Sequence, residues 1–217
     1  MFHCVTAFTR RLFTVAAAIV LSVSALPMAQ AQEPRKGGIL RMTAPYGTTL
    51  TSLDIHTTPR AQDGIVASWD STKNIVVLEL AKDVSVSADG LVHTYKLRDD
   101  AYFHNGRKMT ADDIVWSFTR IMDGSKGFPG ARYIRLIKGA VDVEKGQAKE
   151  ISGLKKIDDF TLEITITDKV NPGFYFFDDT TSILARENVE NGDILTKPIG
   201  LGPFKFVEHI PGSRLVA

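Results

Sequence analysis

Two short stretches alternate apolar and polar residues, and each predicts a β-strand. In 160–167 every second residue is large and apolar, and threonine and glutamate occupy most positions between them. In 91–98 the larger apolar residues again share one parity, which also includes His93. Because successive side chains of a strand point to opposite faces, each strand should bury one face and expose the other. The stretch 151–157 is predicted to be a further strand, joined to 160–167 at Asp158-Asp159.

Turn residues next to these strands predict two chain reversals. Ala88-Asp89-Gly90 contains residue types that tolerate the unusual backbone angles of a tight turn. The run Val84–Val86 is therefore expected to pair with 91–98 as a β-hairpin. Asn105-Gly106 marks the second reversal.

An apolar stripe predicts a helix that ends at Asp123-Gly124. Ile114, Phe118 and Ile121 recur at the spacing of helical turns. Trp116 lies away from this stripe, and we interpret it as packing against a second layer, since a lone aromatic residue usually belongs to a core.

The same helix has a clear start signal. Thr110 and Asp113 have the spacing of a capping box, in which each side chain bonds the other residue's backbone amide. Met109 and Ile114 stand where a hydrophobic staple places its two apolar residues. Asp112 and Asp113 also suit the positive end of the helix dipole.

The second half of the chain has weaker patterns. A second amphipathic helix ending near Gly146 is predicted from the spacing of four apolar residues: Tyr133, Ile134, Ile137 and Val141. One helical turn is expected at 186–189, and the glycine- and proline-rich stretch 198–204 is expected to turn into a strand through Val207.

The first 31 residues have the pattern of a cleaved export signal. Arg10 and Arg11 precede an apolar run, 12–26, that is too short for a membrane span. The small residues of Ala29-Gln30-Ala31 suit a cleavage site, which places the mature domain at 32–217. The paired arginines also resemble a twin-arginine signal, so both the general secretory route and the twin-arginine route remain open.

Removal of this signal changes the charge and the thiol content. It lowers the count of Lys and Arg from 26 to 24 against 25 acids, so the formal net charge falls from +1 to −1. It also removes Cys4, the single cysteine, which leaves a mature chain without disulfide or thiolate chemistry. A net charge near zero does not favour nucleic acid or an anionic membrane surface as a partner.

The sequence has no pattern that indicates catalysis or a metal site. The four histidines of the mature chain do not have metal-ligand spacing: His56, His93, His104 and His209. There is no G-x-S-x-G elbow to hold a nucleophile and no G-x-x-x-x-G-K-[ST] phosphate loop. We therefore predict no catalytic residues, no metal and no cofactor.

Two segments resemble a known family. DGLVHTYKLRDDAYFHNGRKMTADDIVWSFTRIMD (89–123) and PIGLGPFKF (198–206) resemble the signature of the family 5 extracellular solute-binding proteins, the peptide-binding subunits of ABC importers. The resemblance implies a mixed, β-rich α/β fold, namely the first lobe and β-rich subdomain of a two-lobed periplasmic-binding-protein-like architecture. In that family a second lobe follows the glycine turn, so the chain is expected to be truncated before that lobe.

The same resemblance implies a function and a contact segment. It implies non-covalent binding of a peptide or similar small solute by a periplasmic monomer, which delivers it to a membrane permease driven by an ATPase. The run Ser52-Leu53-Asp54-x-His56 resembles the family's S-L-D-P-x segment, and in relatives the loop after this run reaches the ligand. The implied ligand-binding residues are Thr57, Thr58, Pro59, Arg60 and Ala61.

Two alternatives to an importer subunit remain open at this point. An exported hydrolase would need a nucleophile or metal constellation. A truncated fragment or structural module would bind no ligand. With one wall of a two-walled cleft, the mature product is expected to bind peptides no more tightly than roughly millimolar, because each tenfold loss of affinity is about 1.4 kcal/mol.

Overall fold

The computed structural model describes residues 53, 54, 56, 67–70, 75–170, 179–211 and 213–217. The strands of this part are β1 (Ala67–Asp70), β2 (Ile75–Leu78), β3 (Ala81–Val86), β4 (Val92–Leu97), β5 (Leu154–Asp158), β6 (Thr161–Thr165), β7 (Glu208–Ile210) and β8 (Arg214–Val216). The helices are α1 (Ala111–Ile121), α2 (Ala131–Ile134), α3 (Ala140–Glu144) and α4 (Arg186–Glu190), with 3₁₀ turns at Asp179–Thr181 and Asp193–Leu195. The mixed α/β class is confirmed.

A four-stranded antiparallel sheet forms the centre of the described fold, in the order β3-β4-β6-β5. Its strands pair as the alternation predicts: Tyr95 lies opposite Leu162, and His93 lies opposite Ile164. All four of these side chains are buried. The hairpin of β3 and β4 around Gly90 is also confirmed, with Val86 opposite His93.

Helix α1 packs on this sheet through its apolar stripe. Ile114, Phe118 and Ile121 are at most 1% exposed, and α1 contacts β5, α2 and α4. Trp116 packs instead against a second small cluster around Leu184 and Ile194, as predicted for a residue off the stripe. The helix is therefore held on two sides.

The capping box of Thr110 and Asp113 is present at the start of α1. Asp113 Oδ2 accepts the backbone N–H of Thr110 at 2.9 Å, and it is 3.4 Å from the Thr110 hydroxyl, which donates to it. Asp113 is buried although it is charged, so this end of the helix depends on its polar contacts.

We expect Thr110→Ala to lower the free energy of unfolding by about 1 kcal/mol, because it removes the capping hydroxyl. Urea denaturation of the variant should show a lower midpoint with an unchanged slope. Thr119→Ala, the same change within α1, is the control. An equal loss in both variants would remove the cap as the cause.

The predicted helix over 133–146 is wrong, because the chain forms two short helices there. Gly139 stands between α2 and α3 with φ +79, a left-handed conformation that interrupts a helix. The chain before it bonds to the sheet: Lys138 N–H donates to Thr165 O at 2.9 Å, and Ile137 bridges to Ile166. Pairing with the sheet thus replaces the helical hydrogen bonds of these residues.

The strand predicted after the 198–204 turn begins later in the chain than the sequence pattern indicates. Residues 204–206 are not in a strand, and Val207 makes one backbone bond to Val216 without belonging to β7. Strand β7 pairs with β8 as a separate hairpin, and the backbone N–H of Ser213 donates to Ile210 O at 3.0 Å in the turn between them. Within the described ranges, no helix is both long enough and apolar enough to span a membrane.

Candidate ligand-binding site

A buried ion pair joins α1 to the segment that contains Asp54. Arg120 lies in the last turn of α1, and its Nη2 donates to Asp54 Oδ2 at 2.5 Å, while its Nη1 donates to Oδ1 at 3.4 Å. The side chains of Arg120 and Asp54 are only 16% and 6% exposed. Two roughly parallel bonds between guanidinium and carboxylate fix both the distance and the orientation of the two groups.

The ring of His56 completes this contact. Arg120 Nη1 lies 2.6 Å from His56 Nδ1, and His56 Nε2 lies 2.8 Å from the carbonyl oxygen of Ser182. Because arginine only donates and a carbonyl only accepts, Nδ1 must be the acceptor and Nε2 must carry the proton. His56 is therefore neutral in this arrangement.

Burial agrees with a neutral His56. The ring is fully buried, and this desolvation lowers the pKa of His56 to about 4. The positive charge of Arg120 also lowers this pKa, whereas the bond to Ser182 and the charge of Asp54 oppose the change.

Phe128 covers the guanidinium and the imidazole. The Arg120 Cζ atom lies 4.5 Å from the centroid of the Phe128 ring, and the His56 ring meets Phe128 edge-on at 5.8 Å. Desolvation strengthens such a cation–π contact. We call these five residues the Arg120 anchor: Asp54, His56, Arg120, Phe128 and Ser182.

The chemistry of the Arg120 anchor suits support rather than catalysis. Its guanidinium, imidazole and carboxylate bond one another, and within the described ranges no buried side-chain nitrogen or oxygen lacks a hydrogen-bond partner. In the same part of the chain no group of three His, Cys, Asp or Glu residues could hold a metal ion. The anchor joins three segments that are far apart in sequence.

A second polar contact joins the two segments that carry the family resemblance. The His104 backbone N–H donates to Gly200 O at 3.0 Å, and His104 Nε2 bonds Gly202 O at 2.8 Å. The N–H of Gly200 points back to His104 Nδ1 at 3.3 Å. Asn188 holds the same turn by accepting the N–H of Ile199 at 2.9 Å. The turns around 105 and 200 are thus one structural unit.

Arg107 extends this unit to the start of α1. Its guanidinium bonds both oxygens of Asp113, at 2.7 and 3.0 Å, and both oxygens of Glu187, at 2.9 and 3.1 Å. Asn105 also donates to Glu187 at 2.8 Å. The helix start, the 105 turn and α4 are therefore held by one guanidinium.

We expect His104→Ala to lower the free energy of unfolding by roughly 2 kcal/mol, since it leaves Gly200 N–H and Gly202 O without the imidazole. Urea denaturation should show the loss as a lower midpoint. His209→Ala, the same change on the β7–β8 hairpin, should cost less than 1 kcal/mol as a partly exposed substitution. Equal losses would contradict a specific role for His104.

The predicted ligand-binding residues, Thr57, Thr58, Pro59, Arg60 and Ala61, lie outside the described residues, so their role stays a prediction. Among the described residues, Asp54 and His56 precede this segment in the sequence, and both belong to the Arg120 anchor. Sequence reasoning identified the Leu53-Asp54-x-His56 run but missed Arg120, which lies 66 residues beyond Asp54. A charged residue beside an apolar helical stripe has no local signal that identifies its partner.

The fold and sequence define a family for this chain. The family model described as bacterial extracellular solute-binding proteins, family 5 Middle, matches residues 76–217. This match covers more than half of the chain, and the chain belongs to that family.

Curated relatives in this family include binders of different solutes. The chain is 30% identical over 180 residues to the periplasmic oligopeptide-binding protein OppA of Escherichia coli, covering 78% of the chain and 29% of OppA. It is 29% identical over 144 residues to a dipeptide-binding protein of Lactococcus lactis, covering 62% of the chain and 26% of that protein. It is 30% identical over 149 residues to heme-binding protein A of Haemophilus influenzae, covering 60% of the chain and 26% of that protein. The chain thus spans less than a third of each relative.

Solved structures support the same assignment. The chain is similar to Listeria monocytogenes OppA bound to peptide, with a TM-score of 0.66, 25% identity, and coverage of 72% of this chain and 34% of that one. It is also similar to Haemophilus influenzae OppA in complex with RPPGFSPFR, with a TM-score of 0.68 and 25% identity. This match covers 76% of this chain and 35% of that one. The fold corresponds to about a third of these two-lobed proteins.

Proposed function

We propose that this chain is part of the solute-binding component of an ABC importer that takes up peptides. The observation that carries the proposal is the Arg120 anchor, which fixes the run that precedes the proposed contact segment 57–61. The named peptide binders among the relatives support this solute class. We further propose that the protein acts as a monomer in the periplasm, after removal of residues 1–31, and delivers its solute to a permease and ATPase.

Recognition in this proposal is non-covalent. Backbone groups of the contact segment would form hydrogen bonds with the main chain of the peptide. Ordered water would fill the space that remains in the pockets for the peptide's side chains, so that side chains of different sizes are tolerated. Such a site needs a segment in a fixed conformation but no reactive group. The proposed activity is accordingly binding rather than catalysis.

Calorimetry with a pool of di- and oligopeptides tests the proposal. The titration is run on the chain and on a chimera that joins it to the second lobe of Escherichia coli OppA. We expect micromolar binding by the chimera and weaker binding by the 217 residues alone, because closing two walls on a ligand buries most of its surface. A folded chimera that binds no peptide would contradict the proposal.

A heme titration and a peptide-cleavage assay distinguish the alternative functions. Heme is offered to the same chimera, since one relative is named as a heme-binding protein. Peptide cleavage is assayed with and without a chelator. Heme binding without peptide binding would move the proposal to another solute, and cleavage at a catalytic rate would replace binding by hydrolysis.

A further inference from the structure

We propose that Asn191 is a site of spontaneous deamidation in the folded protein. The sequence has two asparagine–glycine pairs, Asn105-Gly106 and Asn191-Gly192. A glycine after asparagine favours this reaction, because it has no side chain to hinder the backbone nitrogen that attacks the side-chain amide. The two pairs differ in how the structure holds the asparagine side chain. This difference assigns the modification to Asn191 and protects Asn105, and it does not depend on the proposed function.

Deamidation of Asn191 uses only groups of the chain and water. The backbone nitrogen of Gly192 forms a bond to Cγ of Asn191, and the side-chain NH₂ group leaves with the proton of that nitrogen as ammonia. Water then opens the resulting succinimide ring at one of its two carbonyls. One product has aspartate at position 191. The other has isoaspartate, in which the main chain runs through the former side chain.

The side chain of Asn191 is exposed and unrestrained. Asn191 follows the last residue of α4, and its backbone N–H donates to Glu187 O at 3.1 Å. Within the described ranges its side chain makes no hydrogen bond. Gly192 has φ +78, and a Cβ atom placed on it would have no neighbouring atom within 4 Å. The attack on Cγ therefore requires the opening of one hydrogen bond, from Gly192 N–H to Val189 O at 3.0 Å, at a helix end.

The side chain of Asn105 is also at the surface, but both ends of its amide are held. Nδ2 of Asn105 donates to Glu187 Oε1 at 2.8 Å, and Oδ1 accepts the backbone N–H of Arg107 at 3.0 Å. Gly106 N–H donates to Phe103 O at 2.8 Å. Rotation of this amide breaks two side-chain hydrogen bonds, one of them to a carboxylate, in addition to the backbone bond. Hydrogen bonding rather than burial thus distinguishes the two asparagines.

Both products at position 191 alter the connection between α4 and the turn around 200. Either product places a carboxylate beside Glu190 at the negative end of a helix dipole. Isoaspartate also lengthens the main chain by one carbon atom shortly before Ile194, which is buried in the second small cluster. The next residues, 197 and 199, are those whose backbone groups bond Asn188. We therefore expect isoaspartate to loosen residues 193–200 and to leave the central sheet unchanged.

Peptide mapping by mass spectrometry measures the reaction at both sites. The 217-residue chain is incubated at mildly alkaline pH, once in native buffer and once in urea. In buffer we expect Asn191 to deamidate at least roughly tenfold faster than Asn105, because fewer hydrogen bonds must open there. In urea the two rates should become similar, since both sites have lost their folded environment.

Two variants test the cause and the consequence. Glu187→Ala removes the acceptor of Asn105 Nδ2 and should raise the deamidation rate of Asn105, while the rate of Asn191 in the same chain is the internal control. Asn191→Gln removes the reactive site, because the longer side chain of glutamine must close a larger ring. Hydrogen exchange after incubation should show weaker protection at 193–200 in the unmodified chain but not in Asn191→Gln, with β4 and β6 protected in both.

The contrary results are equally specific. Equal rates at the two sites in buffer, or a faster reaction at Asn105, would overturn the assignment. A reaction at Asn191 that proceeds only in urea would show that the end of α4 protects it and would also overturn the proposal. An unchanged rate at Asn105 in Glu187→Ala would contradict protection by hydrogen bonding. Equal loss of protection at 193–200 in the unmodified chain and in Asn191→Gln would contradict isoaspartate as its cause.

Discussion

Arg120→Met is expected to lower the free energy of unfolding by about 3–5 kcal/mol. Methionine fills a similar volume but leaves the Asp54 carboxylate buried without its cation, and it removes the donor to His56 Nδ1. Removal of one partner from a buried ion pair lowers the free energy of unfolding by far more than an exposed ion pair raises it, because the remaining charge stays desolvated.

Denaturation in guanidinium chloride or urea, monitored by circular dichroism, measures this loss. Arg132→Met is the control, because it makes the same chemical change at an exposed residue and should cost less than 1 kcal/mol. A loss below 1 kcal/mol in Arg120→Met would show that the Asp54 contact contributes little to stability.

Acidification from about pH 6.5 to pH 4 is expected to cost the protein of the order of 3 kcal/mol through His56 alone. Burial lowers the pKa of His56 to about 4, whereas the unfolded chain titrates near 6.5. Between these values the unfolded state binds the proton and the folded state does not. The contribution of neutral His56 is therefore complete above pH 6.5 and is lost as the pH falls towards 4.

His56→Gln isolates this contribution. An amide side chain can accept from Arg120 and donate to Ser182 but does not titrate. The pKa of buried His93 is also lowered by desolvation. Its effect on stability is the same in the unmodified protein and in His56→Gln, so it cancels when the two are compared. The difference in unfolding free energy between the two proteins should shrink or reverse between pH 7 and pH 4. A difference that stays constant over this range would contradict neutral His56.

Local patterns predicted the elements whose type is decided by residues that lie close together in the sequence. The alternation in 91–98 and 160–167 predicted β4 and β6, and the apolar residues Tyr95, Leu97, Leu162 and Ile164 of these strands are buried in one core cluster. The capping box placed the start of α1 at Thr110. In each case the residues that decide the structure lie within a few positions of one another.

The failed helix prediction at 133–146 and the missed Arg120 anchor both involve distant partners. Ile137 has the spacing of a helical residue, yet its backbone bridges to Ile166 in another part of the chain. The Arg120 anchor likewise depends on groups that are 64 to 66 residues from Arg120. A single sequence shows the spacing of side chains along an element but not which distant backbone or charge competes for it.

The bond between His56 and Ser182 closes a loop, since 126 positions separate the two residues. Closing a loop of this length has an entropic cost that neighbouring contacts must first offset. The hairpin of β3 and β4 and helix α1 need no such closure, so they are expected to form early and the anchor late in folding. Substitutions at Arg120 or His56 should therefore increase the unfolding rate while leaving the folding rate nearly unchanged. The lifetime of the folded state would then be governed by the three segments that meet at this arginine.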